Sequence, residues 1–125
     1  MDSTTKLHNE LVKISELDSF GRSYEPTRSV YVIEVENLVS GSDWDYYIGM
    51  TGKSVEARFQ EHLSGYKTWK RFNDGSCKPL RLDYSLFGVF PKFHTQEAAK
   101  HAEGVVARAL KNAGYNVYSD MIDKE

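Results

Sequence analysis

Trp44-Asp45-Tyr46-Tyr47-Ile48-Gly49 leads, after Met50-Thr51-Gly52-Lys53, into Ser54-Val55 and a run that ends near Gly65. This passage from strand to helix decides how the rest of the chain is read. Residues 44–48 are aromatic and β-branched and predict a strand, with Gly49 and Gly52 punctuating its exit. Ser54 precedes Val55, Phe59 and Leu63 at i, i+4 and i+8. That spacing predicts a helix capped by Ser54 and stopped near Gly65. Upstream, residues 28–36, Arg28-Ser29-Val30-Tyr31-Val32-Ile33-Glu34-Val35-Glu36, are rich in strand-forming types and end in alternation. With a turn at Ser40-Gly41-Ser42-Asp43, the two strands form a hairpin whose loop exceeds the usual ~2–5 residues.

Outward from this hairpin, Leu7, Leu11, Ile14 and Leu17 recur at helical spacing and predict an amphipathic helix over residues 4–18, ending before Gly21. Tyr66 to Pro79 has no clear period and contains the turn signal Asn73-Asp74-Gly75, so it reads as an ordered loop or short helix. Residues 80–90 alternate at first and become apolar later, which predicts a third strand in the second half of that stretch. Thr95 opens the longest predicted helix, through Ala98, Ala99, Ala102, Val105, Val106, Ala109, Leu110 and Ala113, closed by Gly114. Residues 115–118 return as a short strand or extended tail. The order implies an α/β (α+β) fold: a small central, mostly antiparallel sheet flanked by helices. Residues 1–20 are an N-terminal helical extension, 28–118 the main domain and 119–125 a tail.

The chain has 125 residues, with 16 Lys+Arg against 18 Asp+Glu and a net charge of −2. Its apolar runs are far shorter than the ~18 residues needed to cross a bilayer, so no membrane role is expected. Met1-Asp2-Ser3-Thr4-Thr5 carries no secretory pattern, and the single Cys77 cannot form an internal disulfide. Both fit an intracellular, cytoplasmic protein. The mild acidity argues against non-specific coating of nucleic acid, but the charge is uneven. Residues 53–81 hold seven basic groups, Lys53, Arg58, Lys67, Lys70, Arg71, Lys78 and Arg81, against three acidic ones. Tyr66, Trp69 and Phe72 lie between them, a mixture suited to phosphate contacts and stacking, or to a solvated loop over core aromatics. His94, His101 and Cys77 have no zinc-ligand spacing, and no glycine-rich phosphate loop is present.

Ser29-Val30-Tyr31, then Tyr47-Ile48-Gly49, with Arg58 and His62 one turn apart on the next helix, resemble the GIY-YIG nuclease family. Glu103 and Asn116 fall where that family has its metal-binding glutamate and a late asparagine. The resemblance covers residues 28–118. Six positions in the right order carry it, with Ser29 departing from the family's leading glycine and a longer spacing from Tyr31 to Tyr47. It implies a metal-dependent endonuclease that hydrolyses DNA in one step through a single Mg²⁺ or Mn²⁺ at Glu103. The implied catalytic set is Tyr31, Tyr47, Arg58, His62, Glu103 and Asn116, with either tyrosine activating the water. Gly49, Lys53, Lys67, Lys70 and Arg71 are expected to contact DNA, with sequence specificity either weak or supplied by a targeting protein partner.

The residue chemistry stands beside the resemblance. Phosphodiester hydrolysis needs a base near water, positive charge around the phosphorus and a metal for developing oxyanions. A tyrosine has an ordinary pKa of ~10, so it needs neighbouring cations or metal-bound water to act as a base. Lys53 and Arg58 are close enough in sequence to supply that field. Arg58 could clamp two phosphate oxygens, and His62 could assist proton transfer or hold a tyrosine. Each residue also has a plainer reading: sheet aromatics for the tyrosines, exposed helix positions for Arg58 and His62, an ion pair with Lys100 or Arg108 for Glu103, a turn for Asn116. The competing function is a non-catalytic module of the same fold that binds nucleic acid or protein. The N-terminal helix could alternatively pair with its copy in another chain.

Overall fold

The structure, a computed structural model, describes residues 3–87 and 90–122. The chain enters as α1 (Ser3–Ser19) and then forms the hairpin β1 (Ser29–Asn37) and β2 (Tyr46–Thr51). It continues through α2 (Val55–Ser64), α3 (Lys70–Asn73), β3 (Cys77–Leu82), α4 (Tyr84–Phe87), α5 (Gln96–Asn112) and β4 (Val117–Tyr118). The sheet order is β3-β1-β2-β4, antiparallel except where β4 runs parallel to β2. A mostly antiparallel sheet flanked by helices is therefore the architecture, as the sequence pattern predicts.

In the β1–β2 register Tyr31 faces Gly49 and Ile33 faces Tyr47. Opposed residues share a sheet face, so Tyr31, Ile33, Tyr47 and Gly49 lie on one side. The rings of Tyr31 and Tyr47 meet His62 of α2 on that side, and Tyr47 also meets Phe72 of α3. α5 packs on β1, β2 and β4, and α1 packs on α5. Leu11, Val30, Val32, Ile33, Ile48, Phe93, Ala99, Ala102, Val106 and Val117 are buried and form the core.

The helix boundaries follow from their caps. Ser54 Oγ accepts from the Ala57 amide at 3.1 Å, and Gly65 ends α2 at φ +83°, a left-handed conformation that disfavours any side chain. Thr95 Oγ1 accepts from the Ala98 amide at 3.1 Å to start α5. Asp18 joins α1 to this start. Its carboxylate accepts from the Thr95 hydroxyl at 2.7 Å and the Thr95 amide at 3.2 Å.

Two expectations are corrected. The third strand lies at Cys77–Leu82, earlier than the second half of residues 80–90. As an edge strand it tolerates Pro79, and its start lies in the stretch that read as loop for want of a clear period. Asp83 then turns the chain: its side chain accepts from the Ser85 amide at 3.1 Å and its carbonyl from the Leu86 amide at 3.1 Å, opening α4. Gly88 and Val89, within the stretch expected to be strand, lie outside the described residues. The second correction concerns α2. His62 is buried and Arg58 half-buried, so the plainer reading of both as exposed helix positions does not hold; of the apolar residues, Val55 packs on the core while Leu63 is 43% exposed. The insert between the hairpin strands is also more than a tip: Trp44 turns inward, edge-on to Trp69 and Tyr118.

Among the described residues no helix is long and apolar enough to cross a membrane.

Candidate active site

A cleft of about 280 Å³ opens where β1, β2, α2, α5 and the segment after β4 meet. Tyr31, Tyr47, Gly49, Met50, Arg58, Lys100, Glu103, Asp120 and Met121 line it. A second, polar cavity of about 210 Å³ adjoins it, lined by Tyr47, Arg58, Lys67, Thr68, Trp69, Lys70, Tyr118 and Asp120. Tyr47, Arg58 and Asp120 border both.

Gly49 is needed for close approach. A Cβ built on it would lie 2.5 Å from the Tyr31 hydroxyl and 2.6 Å from the ring carbon bearing it. Only glycine lets the Tyr31 ring cross over β2 to the cleft. There the Tyr31 hydroxyl sits 2.7 Å from His62 Nε2, and His62 Nδ1 is paired with the Thr68 hydroxyl. His62 is 1% exposed. Burial first, and the Arg58 charge second, hold its pKa down at about 3, so the imidazole is neutral at physiological pH.

Burial pushes both tyrosines above the ordinary phenol range. Arg58 pulls the other way, through its charge on both and a hydrogen-bonding contact with Tyr31, but burial outweighs it. Neighbouring cations, one of the two routes expected to make a tyrosine a base, therefore do not create a tyrosinate here. Lys53 adds little to that field, because its ammonium pairs with Glu61 at 2.5 Å. Arg58 is also more committed than a two-pronged phosphate clamp would be. Its guanidinium donates to Glu61 Oε1 at 3.0 Å, to the Tyr66 carbonyl at 3.2 Å and to the Lys67 carbonyl at 2.7 Å. It contributes a fixed charge at the junction of the two cavities, with its donors largely satisfied by the protein.

Glu103 is 5% exposed on α5. The plainer reading of Glu103, an ion pair with Lys100 or Arg108, is not met: among the described residues Glu103 makes no ion pair. It accepts a hydrogen bond from the Ser119 hydroxyl at 2.5 Å. Burial raises its pKa to about 7; the Ser119 hydrogen bond opposes the shift, Asp120 adds to it and Lys100 opposes it. A carboxylate desolvated without a cationic partner, with the Asp120 carboxylate on the same cleft, is a donor set of hard oxygens. That set fits Mg²⁺ or Mn²⁺ better than zinc. The described residues hold no group of three or more His, Cys, Asp or Glu that could ligate a metal, so protein ligation would be sparse.

The remaining predicted residues lie apart. Asn116 does not line either cavity. Its side chain donates to the Asp43 carbonyl and carboxylate at 3.1 and 2.9 Å, and its amide donates to Asp45 at 2.8 Å, fastening β4 to the hairpin loop. Lys67 and Lys70 line the second cavity. The Arg71 guanidinium lies over Trp44 and Trp69, 5.6 and 6.0 Å from their ring centres. Trp69 is itself buried, stacked on Tyr118 at 4.5 Å, so it is core and not a platform for bases. Of the three aromatics in the basic segment, Tyr66 is the exposed one. Asp120 and Thr68 were missed in the sequence. Neither carries a periodic or motif signal; only the return of the chain past β4 and the turn after α2 bring them to the site.

The chain matches no family model, no curated protein and no solved structure.

Proposed function

We propose that the protein is a divalent-metal-dependent endonuclease, of the GIY-YIG kind, that hydrolyses DNA phosphodiester bonds in one step. The observation that carries this reading is the meeting of Tyr31, Tyr47, Arg58 and Glu103, from four separate elements, on one cleft. Glu103, with Asp120 beside it, would hold a single Mg²⁺ or Mn²⁺. Such an ion supplies positive charge to the phosphate and to the developing oxyanion.

The chain's own residues carry the proton. As the bond from water oxygen to phosphorus forms, the water proton passes to the Tyr31 oxygen, the Tyr31 proton to His62 Nε2, the His62 Nδ1 proton to the Thr68 hydroxyl and the Thr68 proton to solvent in the adjoining cavity, so the buried imidazole stays neutral. The bond from phosphorus to the leaving sugar oxygen breaks, and that oxygen takes a proton from solvent. No tyrosinate is required, which suits two buried phenols. Tyr31 fills this role rather than Tyr47 because it has the neutral imidazole at hydrogen-bonding distance. Tyr47 forms the cleft wall, Arg58 presents charge to the phosphate, and Lys67 and Lys70 attract the flanking backbone. With few base-reading groups at the cleft, sequence preference is weak or comes from a protein partner.

The engagement of Arg58 by Glu61 and two carbonyls favours a second reading, a module of the same fold that binds nucleic acid without cutting it. Parallel assays of binding and cutting with Lys67→Ala/Lys70→Ala and Arg58→Ala separate the two. For an enzyme, the double lysine variant binds DNA more weakly with a shallower salt dependence, and Arg58→Ala retains binding while losing metal-dependent cleavage. Wild-type protein that binds DNA and never cuts it with either metal contradicts the enzyme reading.

A further inference from the structure

We infer that Thr68 is a positioning residue: it fixes the tautomer of His62 and so the direction in which Tyr31 hands on its proton. The inference rests on the proton route proposed above but is tested independently of it. His62 has both ring nitrogens engaged, Nε2 with the Tyr31 hydroxyl and Nδ1 with the Thr68 hydroxyl. A neutral imidazole has one N–H and one acceptor nitrogen, so two arrangements satisfy both contacts. In one, Tyr31 donates to Nε2 and Nδ1–H donates to Thr68. In the other, Thr68 donates to Nδ1 and Nε2–H donates to Tyr31.

The chemistry of the two hydroxyls selects the first. A phenol is the more acidic donor and the weaker acceptor, an aliphatic hydroxyl the better acceptor. The imidazole acceptor nitrogen therefore pairs with Tyr31 and its N–H with Thr68. In this arrangement the Tyr31 oxygen keeps its lone pairs for Arg58 and for water in the cleft. Thr68 lines the adjoining cavity with Lys67 and Lys70, so its own hydroxyl proton has somewhere to go. In the reverse arrangement Tyr31 could not give a proton to His62, and the route would be closed.

The turn that carries Thr68 is held for this purpose at several points. Lys67 is the one non-glycine residue with positive φ among those described, at φ 44°, an uncommon conformation that persists only where surrounding contacts enforce it. Those contacts are present: Arg58 donates to the carbonyls of Tyr66 and Lys67, and the Tyr66 amide donates to the Glu61 carbonyl at 2.9 Å. The same arginine that borders the cleft thus braces the turn that orients His62.

The test is the tautomer itself, read from imidazole nitrogen chemical shifts of ¹⁵N-histidine-labelled full-length protein at pH 7, for wild type, Thr68→Val and Thr68→Ser. The expected result is a protonated Nδ1 and bare Nε2 in wild type and Thr68→Ser, and loss of this preference in Thr68→Val. Wild type with the proton on Nε2, or Thr68→Val with an unchanged tautomer, overturns the inference. If Thr68→Val does not fold, Thr68→Ala, which also lacks the hydroxyl, takes its place in the same comparison. Plasmid nicking by the same proteins reads the consequence: kcat falls about 10- to 100-fold in Thr68→Val with KM unchanged, and Thr68→Ser recovers it. The expected tautomers with no nicking by wild type would leave Thr68 in place and remove the nuclease reading instead.

Discussion

Gly49 illustrates how one residue can serve a site without touching chemistry. Its missing Cβ is the space that the Tyr31 hydroxyl occupies. Gly49→Ala should therefore push Tyr31 off His62, costing about 1–3 kcal/mol in thermal or denaturant unfolding and abolishing cleavage. Unaltered stability would mean that Tyr31 moves aside without penalty. The two strongly perturbed groups, His62 and Glu103, make a matched pair of pH predictions. His62 has a folded pKa near 3, below its ordinary 6.5, so its unfolded form binds the extra proton and its contribution is lost as pH falls from 6.5 towards 3. Glu103 has a folded pKa near 7, above its ordinary 4.5, so its contribution is full below 4.5 and lost as pH rises through 7. Between pH 4.5 and 6.5 the two slopes oppose. Each is at most about 1.4 kcal/mol per pH unit. Stability measured across this window should be nearly flat in wild type, rise with pH in Glu103→Gln and fall with pH in His62→Gln.

At the scale of elements, the caps and turns were legible because their chemistry is local. Ser54, Gly65 and Thr95 announce their helix ends in the sequence and keep them in the structure. The orientation of α2 was legible only in part: the shared face of Arg58 and His62 could be read, the exposure of Leu63 could not. Its apolar spacing points to Val55, Phe59 and Leu63, whereas the sheet face it meets is occupied by Tyr31 and Tyr47, polar-tipped rings that pair with His62. β3 was displaced in the reading because the stretch up to Pro79 shows no clear period after the Asn73-Asp74-Gly75 turn, and only pairing with β1 makes its first residues strand. The tie between α1 and α5 was likewise invisible, since 77 residues separate Asp18 from Thr95. Asp18→Ala should destabilise the fold by about 1–2 kcal/mol by leaving the α5 start with fewer acceptors. Burial raises the Asp18 pKa, but hydrogen bonds from Thr95 and His94 and the Arg22 charge prevail and hold it below 3.8. Wild type and variant should accordingly converge in stability as pH falls from 3.8 through the lower folded pKa, below which the carboxylate is protonated in both states of the wild type. A constant gap down to lower pH would place the effect in packing rather than charge.

For the whole molecule, the sheet and its flanking helices could be read from period and punctuation. The cleft could be read only in part. Tyr31, Tyr47, Gly49, Arg58 and Glu103 converge on it, with His62 behind Tyr31, while Asn116, Lys53 and Arg71 do structural work elsewhere. Asp120 and Thr68 enter through tertiary proximity that no spacing encodes. The nuclease proposal therefore rests on a buried carboxylate with no ion-pair partner among the described residues, beside two tyrosines and a fixed guanidinium. Its most direct test is nicking of supercoiled plasmid by wild type and Glu103→Gln in Mg²⁺, Mn²⁺ and EDTA, with folding of both checked by circular dichroism. Nicking by wild type with either metal, absent in EDTA and in folded Glu103→Gln, is the predicted result; equal cleavage by the two proteins, or none by folded wild type with either metal, contradicts it.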